Sequence, residues 1–159
     1  MNLSNSYFAI PNPLLLFDRW LNAYSHQRFV VLNEKNIEVN WTKRAEDALN
    51  VRQEPLTIEM QLYFSCVVKK RVIFHDHANF ECAVAVTDKL HLCYRALQSA
   101  ACDPETFARD YPQQCLLESK AARNMQPSKL NIDFSNGQWQ GEIGFTKTRA
   151  DNYPYLKAE

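Results

Sequence analysis

The chain has 159 residues, 46% of them hydrophobic, and carries 18 basic and 18 acidic side chains for a formal net charge of zero. That length suffices for one domain with a sizeable core, and we read 1–159 as a single domain with 1–11 and 147–159 as extended terminal segments. Nine of the 18 basic and eight of the 18 acidic residues precede residue 80, so neither half is a phosphate-gripping arm, and a sequence pI near 6.9 disfavours a dedicated nucleic-acid binder.

The first twelve residues lack the basic flank of a secretory leader. Leu14-Leu15-Leu16-Phe17 is too short for a leader core or a membrane span, and no other run approaches the length a span requires. Asn12 followed by Pro13 signals a helix start. Leu14, Phe17, Leu21 and Tyr24 then recur at helical spacing, which predicts an amphipathic helix over 13–25 whose apolar stripe covers a sheet. Strands over 29–32 and 37–41 form a hairpin across Asn33-Glu34-Lys35-Asn36. Thr42 is placed to cap a short helix running to Asn50, and Pro55 closes that region.

Residues 56–97 hold the core of the fold. Even positions are apolar (Ile58, Met60, Leu62, Phe64, then Val72 and Phe74, then Val84 and Val86, then Leu90, Leu92 and Tyr94), and odd positions carry Glu59, Gln61, Glu81, His91 and Arg95. Alternation with period two means a strand with one buried and one wetter face. We read three strands, 57–74, 80–86 and 90–96, joined by short turns into an antiparallel meander, with Glu81 opposite Arg95. Lys70 breaks the alternation, which implies a bulge, a strand end or an edge defended by charge.

Asp103-Pro104-Glu105 opens a further helix, and Pro112 breaks it and starts another that runs to Asn124. The last hairpin has the strongest local signal. Leu130, Ile132 and Phe134 alternate, Asn136-Gly137 is the preferred two-residue turn, and Trp139, Ile143 and Phe145 return, pairing Phe134 with Trp139 and Leu130 with Ile143. The run Asp133-Phe134-Ser135-Asn136-Gly137 departs from the Asp-x-Ser-x-x-Gly element of cyclic-dinucleotide-binding PilZ barrels. Its glycine stands one residue early and no Arg-x-x-x-Arg precedes it, so it is read as a turn. The expected fold is therefore α+β: an antiparallel β-meander with flanking hairpins and helices packed on one side, its sheet open to strong curvature or a barrel-like closure.

Glycine limits the function classes. The three glycines are Gly137, Gly141 and Gly144, so there is no dinucleotide loop, P-loop or nucleophile elbow, each of which needs the close backbone approach that glycine allows. No cofactor is implied. The five cysteines, at 66, 82, 93, 102 and 115, are odd in number and form no Cys-x-x-Cys pair. We read them as reduced thiols of a cytoplasmic protein, with Cys66 and Cys82 on the apolar face. Cys93 or Cys102 near His91 is the one nucleophile arrangement available.

Three sets of site residues stand out. Lys69, Lys70 and Arg71 are a basic run suited to an anion, given basic neighbours from Arg28, Lys43 or Arg44. His75, His77, His91 and Cys93 are imidazole and thiol donors of the kind zinc or copper accepts. Tyr7, Phe8, Tyr153 and Tyr155 lie in terminal segments suited to docking, because aromatics anchor interfaces. The leading expectation is a cytoplasmic, non-enzymatic adaptor or assembly factor with a protein partner and no membrane contact. The alternatives are a small-molecule binder, with or without catalysis, using a cavity under the sheet, and a His/Cys metal-binding protein.

Overall fold

The computed structural model describes residues 18, 21–64, 68–77, 80–99 and 114–145. Among them the strands are β1 (Tyr24–Leu32), β2 (Lys35–Thr42), β3 (Leu56–Phe64), β4 (Val68–His75), β5 (Val84–Thr87), β6 (Leu90–Ser99), β7 (Gln114–Leu116), β8 (Lys129–Ser135) and β9 (Gln138–Gly144). Helix α1 (Lys43–Asn50) follows β2, and helix α2 (Lys120–Asn124) precedes β8.

Turn chemistry builds the hairpins. Asn33 and Glu34 have φ of 49° and 65°, and Asn136 and Gly137 have 53° and 75°. Two successive residues with positive φ match the twist of an antiparallel pair. They bring Leu32 opposite Lys35 and Ser135 opposite Gln138. Four antiparallel pairs, β1–β2, β3–β4, β5–β6 and β8–β9, join in twos through parallel pairs, β2 with β8 and β3 with β6. One sheet runs β1-β2-β8-β9 and the other β4-β3-β6-β5, with β7 on the far half of β6.

The two sheets bury one apolar layer between them. Ile37, Val39 and Trp41 of β2, Leu130 and Ile132 of β8 and Ile143 of β9 meet Leu56, Ile58, Met60 and Leu62 of β3 and Leu90, Leu92, Tyr94 and Ala96 of β6. Ala45 and Leu49 of α1 and Ala122 of α2 complete the layer. Burying one such aliphatic side chain contributes roughly 1.5–3 kcal/mol. At the sheet edges β4 lies beside β9 and β1 beside β5, with no backbone ladder joining the two sheets among the described residues.

Helix α1 is fixed at its start. The Thr42 hydroxyl accepts from the Ala45 amide at 3.2 Å and donates to Asp133 of β8 at 2.6 Å. Arg44 donates its Nε to the same Asp133 oxygen at 2.7 Å and reaches Asp18 at 2.9 Å. Burial pushes the Asp133 carboxyl up, but the hydrogen bonds from Arg44 and Thr42 outweigh it and hold the group below the usual carboxylate range. A lowered folded-state pKa means stability present in full above the ordinary aspartate value, near 3.8, and lost as pH falls through the lowered one. Asp133→Asn is expected to flatten the acid-side fall of Tm in a melting series against pH. An unchanged slope would count against this role.

Several expectations change. The helix expected over 13–25 falls mostly outside the described residues; Asp18 and Leu21 are helical, but Tyr24 already begins β1. The strand expected over 57–74 is a hairpin, β3 and β4. Its register pairs Leu62 with Lys70, Met60 with Val72 and Ile58 with Phe74. Even residues face even residues, so the apolar phase continues from β3 into β4 without a break. The three-stranded meander is corrected too, because β3 and β6 pair in parallel. Glu81 lies exposed in a turn, and Arg95 binds Glu59 instead. In the helix expected from Pro112 to Asn124, residues 114–116 are strand. β6 extends past β5 and offers an open edge that takes Leu116 opposite Leu97. Helix begins only after Ser119, whose hydroxyl accepts from the Ala122 amide at 3.0 Å.

Candidate functional site

Strand β3 is buried on both faces. On the side away from the apolar layer, Thr57, Glu59, Gln61 and Tyr63 expose 1–5% of their surface. The register sets their neighbours. Glu59 stands between Ile73 of β4 and Cys93 of β6, and Gln61 stands between Arg71 and Arg95.

Glu59 is the centre of this face. Its side chain is 2% exposed. One carboxylate oxygen accepts from Gln61 Nε2 at 2.6 Å and Arg95 Nη1 at 3.2 Å, and the other from His75 Nε2 at 2.8 Å. A buried carboxylate persists only with such donors. Phe80 covers the cluster. Its ring meets His75 edge-on at 5.0 Å, and the Arg95 guanidinium sits 5.8 Å from its centroid. The carboxylate takes a hydrogen bond from His75 Nε2 and balances the Arg95 charge in a site where an unpaired ion would be costly.

Cys93 sits beside Glu59 with no exposed surface. Burial, then the neighbouring Cys82 and Glu59, push its thiol far up. It is a neutral thiol at neutral pH, the opposite of an activated nucleophile. Cys82, expected on the apolar face, is instead exposed, in the turn that leads into β5 beside Cys93.

The four expected metal donors are spread out. His75 binds Glu59. His77 lies past the end of β4 and pairs with Glu54 at 2.6 Å. His91 stands on β6 beside Thr57 and Ala85, and Cys93 is one side-chain pair further along that strand. Among the described residues no three His, Cys, Asp or Glu side chains converge to hold a metal ion. Lys69, Lys70 and Arg71 lie on β4, an edge strand with unbroken register, so of the readings for Lys70 the charged edge applies. The Lys70 ammonium lies 4.8 Å from the Phe145 ring centroid. A groove of about 250 Å³ runs past Lys70 and Arg71, but Glu142 shares its wall. Of the basic neighbours expected for an anion, Arg44 is held by Asp133 and Asp18, and Lys43 pairs with Asp47 at 3.6 Å. A second, open groove of about 450 Å³ is lined by Arg52, Gln53, Glu54, Asp76 and His77, with Arg52 paired to Asp76 at 2.8 Å. Tyr7, Phe8, Tyr153 and Tyr155 lie outside the described residues.

Sequence reasoning missed the burial of Glu59 and the meeting of Cys82 with Cys93. The one available signal was composition. The outward residues of β3 are Thr, Glu, Gln and Tyr, a single charge in four, where a fully wetted strand face usually carries more.

The other notable surface is on β1. Phe29 is 65% and Val31 59% exposed, two residues apart on the same strand face. No helix among the described residues is long and apolar enough to cross a membrane. Comparison of the chain with protein-family models, curated proteins and solved structures finds no match.

Proposed function

We propose that the protein is a non-enzymatic binding protein that acts by contact with another protein, and that β1 is its contact element. The observation that carries this reading is the exposure of Phe29 and Val31 on a nine-residue strand at the end of its sheet. No backbone ladder joins β1 to β5 of the other sheet, which lies beside its outer edge, among the described residues. The grip therefore comes from the strand face, where the exposed apolar side chains supply contact area for a partner. The Glu59 cluster supports the non-enzymatic half of the reading, since its polar groups are engaged with one another. Free thiols at exposed Cys82 and Cys115 fit a cytoplasmic, reducing compartment.

Size-exclusion chromatography with light scattering, combined with a pull-down from the source cell, tests this. Wild-type protein is expected to recover a stoichiometric partner and to elute well above its 18.5 kDa monomer mass. Phe29→Lys with Val31→Lys is expected to weaken that binding by about 2 kcal/mol or more, roughly thirtyfold in Kd. A strictly monomeric wild type with no co-purifying protein, or a double variant that binds as tightly as wild type, overturns the proposal.

A further inference from the structure

We propose that Cys82 and Cys93 form a two-thiol redox site, which a low-molecular-weight disulfide converts into an internal Cys82–Cys93 disulfide. The pairing follows from the fold. β5 and β6 run antiparallel with Val84 opposite Leu92, so the chain just before β5 passes Cys93. There it turns, with the Ala83 amide donating to the Phe80 carbonyl at 2.9 Å. The turn places Cys82 next to Cys93, and its thiol influences the protonation of Cys93. Cys82 belongs to this turn rather than to a ladder, so no strand pairing fixes the direction of its side chain. Cys115, the other exposed thiol among the described residues, lies opposite Gln98. That is five residues further along β6, on the order of 16 Å away at strand rise.

The two thiols have different access, and access assigns their roles. Cys82 is exposed and Cys93 has no exposed surface. The Cys82 thiolate attacks one sulfur of the incoming disulfide, the S–S bond breaks, and one small thiol leaves after taking up a proton. Cys93 then gives up its proton and attacks the Cys82 sulfur, expelling the second small thiol. Two protein thiols are oxidised by two electrons, and one small disulfide is reduced to two thiols. Because Cys93 is buried beside Glu59, the second step is the slow one and quickens as pH rises. Closure ties the turn carrying Phe80 to β6, and with it the cover over Glu59, His75 and Arg95.

The test uses the full chain under native conditions, with oxidised glutathione as the oxidant at mildly alkaline pH, followed by an acid quench, alkylation and tryptic digestion. Cleavage after Arg71, Lys89 and Arg95 places Cys82 in peptide 72–89 and Cys93 in peptide 90–95. The expected product is these two peptides joined, two hydrogens lighter than their sum, and lost in Cys82→Ser. Recovery of 72–89 carrying glutathione with 90–95 alkylated as a free thiol overturns the proposal. So does linkage of Cys82 to Cys66, Cys102 or Cys115, or recovery of both thiols alkylated.

Discussion

Glu59→Ala is expected to lower the unfolding free energy by about 3–5 kcal/mol, the range for breaking a buried ion pair from one side. The reason lies in what remains. Gln61, itself 5% exposed, loses its acceptor, and Arg95 and His75 are left facing a void under Phe80. An unsatisfied buried donor costs about 1–3 kcal/mol, and more when it is charged. Glu59→Gln keeps the shape but puts an amide nitrogen where one oxygen accepted, so one donor meets another. Its expected loss is intermediate, about 2 kcal/mol. Glu59→Met combined with Arg95→Met removes both charges at similar volume and is expected to recover most of the loss, because a buried pair is worth little against a well-packed apolar replacement. Urea titrations at constant m-value read all three. A Glu59→Ala loss below about 1 kcal/mol would mean that water, and not burial, sets the behaviour of this cluster.

The elements legible beforehand share one property: their determinants lie within a few residues. The β8–β9 hairpin is the clearest case. Asn136-Gly137 selects the turn, the turn selects the register, and both expected cross-strand pairs follow, with the Phe134 and Trp139 rings 4.7 Å apart. The Thr42 cap and the β1–β2 turn are equally local. What escaped is non-local. Nothing near β2 announces a parallel partner some 90 residues later, and the parallel pairing of β3 with β6 has no turn to signal it. The break between β3 and β4 escaped because a register of even residues against even residues carries the alternation from one strand into the next. β7 escaped because an open edge on β6 outweighed local helix preference.

The same division holds for the site. The exceptions to alternation were visible as residues, and their meaning depended on which strand lay alongside. Lys70 marks an edge because β4 ends its sheet. His75 looked like a partner for His77, but its ring is turned to Glu59 from the next strand, while His77 reaches Glu54. The odd positions of β3 read as a wet face, because period two distinguishes two faces and cannot say whether the more polar one meets water. Cys82 was assigned to the wrong face by extending strand phase into what is a turn.

Gly141→Val is expected to cost about 2–3 kcal/mol, the upper part of the range for overpacking. A Cβ at Gly141 would lie 2.6 Å from Val72 Cγ1 and 3.0 Å from Phe74 Cζ. This is where β9 of one sheet approaches β4 of the other, and neither neighbour yields easily. Val72 is branched at Cβ and stiff about χ1. Phe74 is stacked on Trp139 at 6.0 Å, and Trp139 in turn packs on Phe134. The added carbons must therefore push the two sheet edges apart. Gly144 is the internal control, since its Cβ would meet Lys129 Cβ at an ordinary 3.5 Å, and Gly144→Ala is expected to be close to neutral. Val72→Ala introduced with Gly141→Ala opens the space that the new Cβ needs, so the pair should destabilise by clearly less than the sum of the single changes, as contacting residues do in a double-mutant cycle. Thermal or urea unfolding of Gly141→Val, Gly144→Ala, Gly141→Ala, Val72→Ala and the Val72→Ala/Gly141→Ala pair decides it. Equal losses at Gly141 and Gly144, or strict additivity with Val72, would show that the sheet edges do not meet as this contact requires.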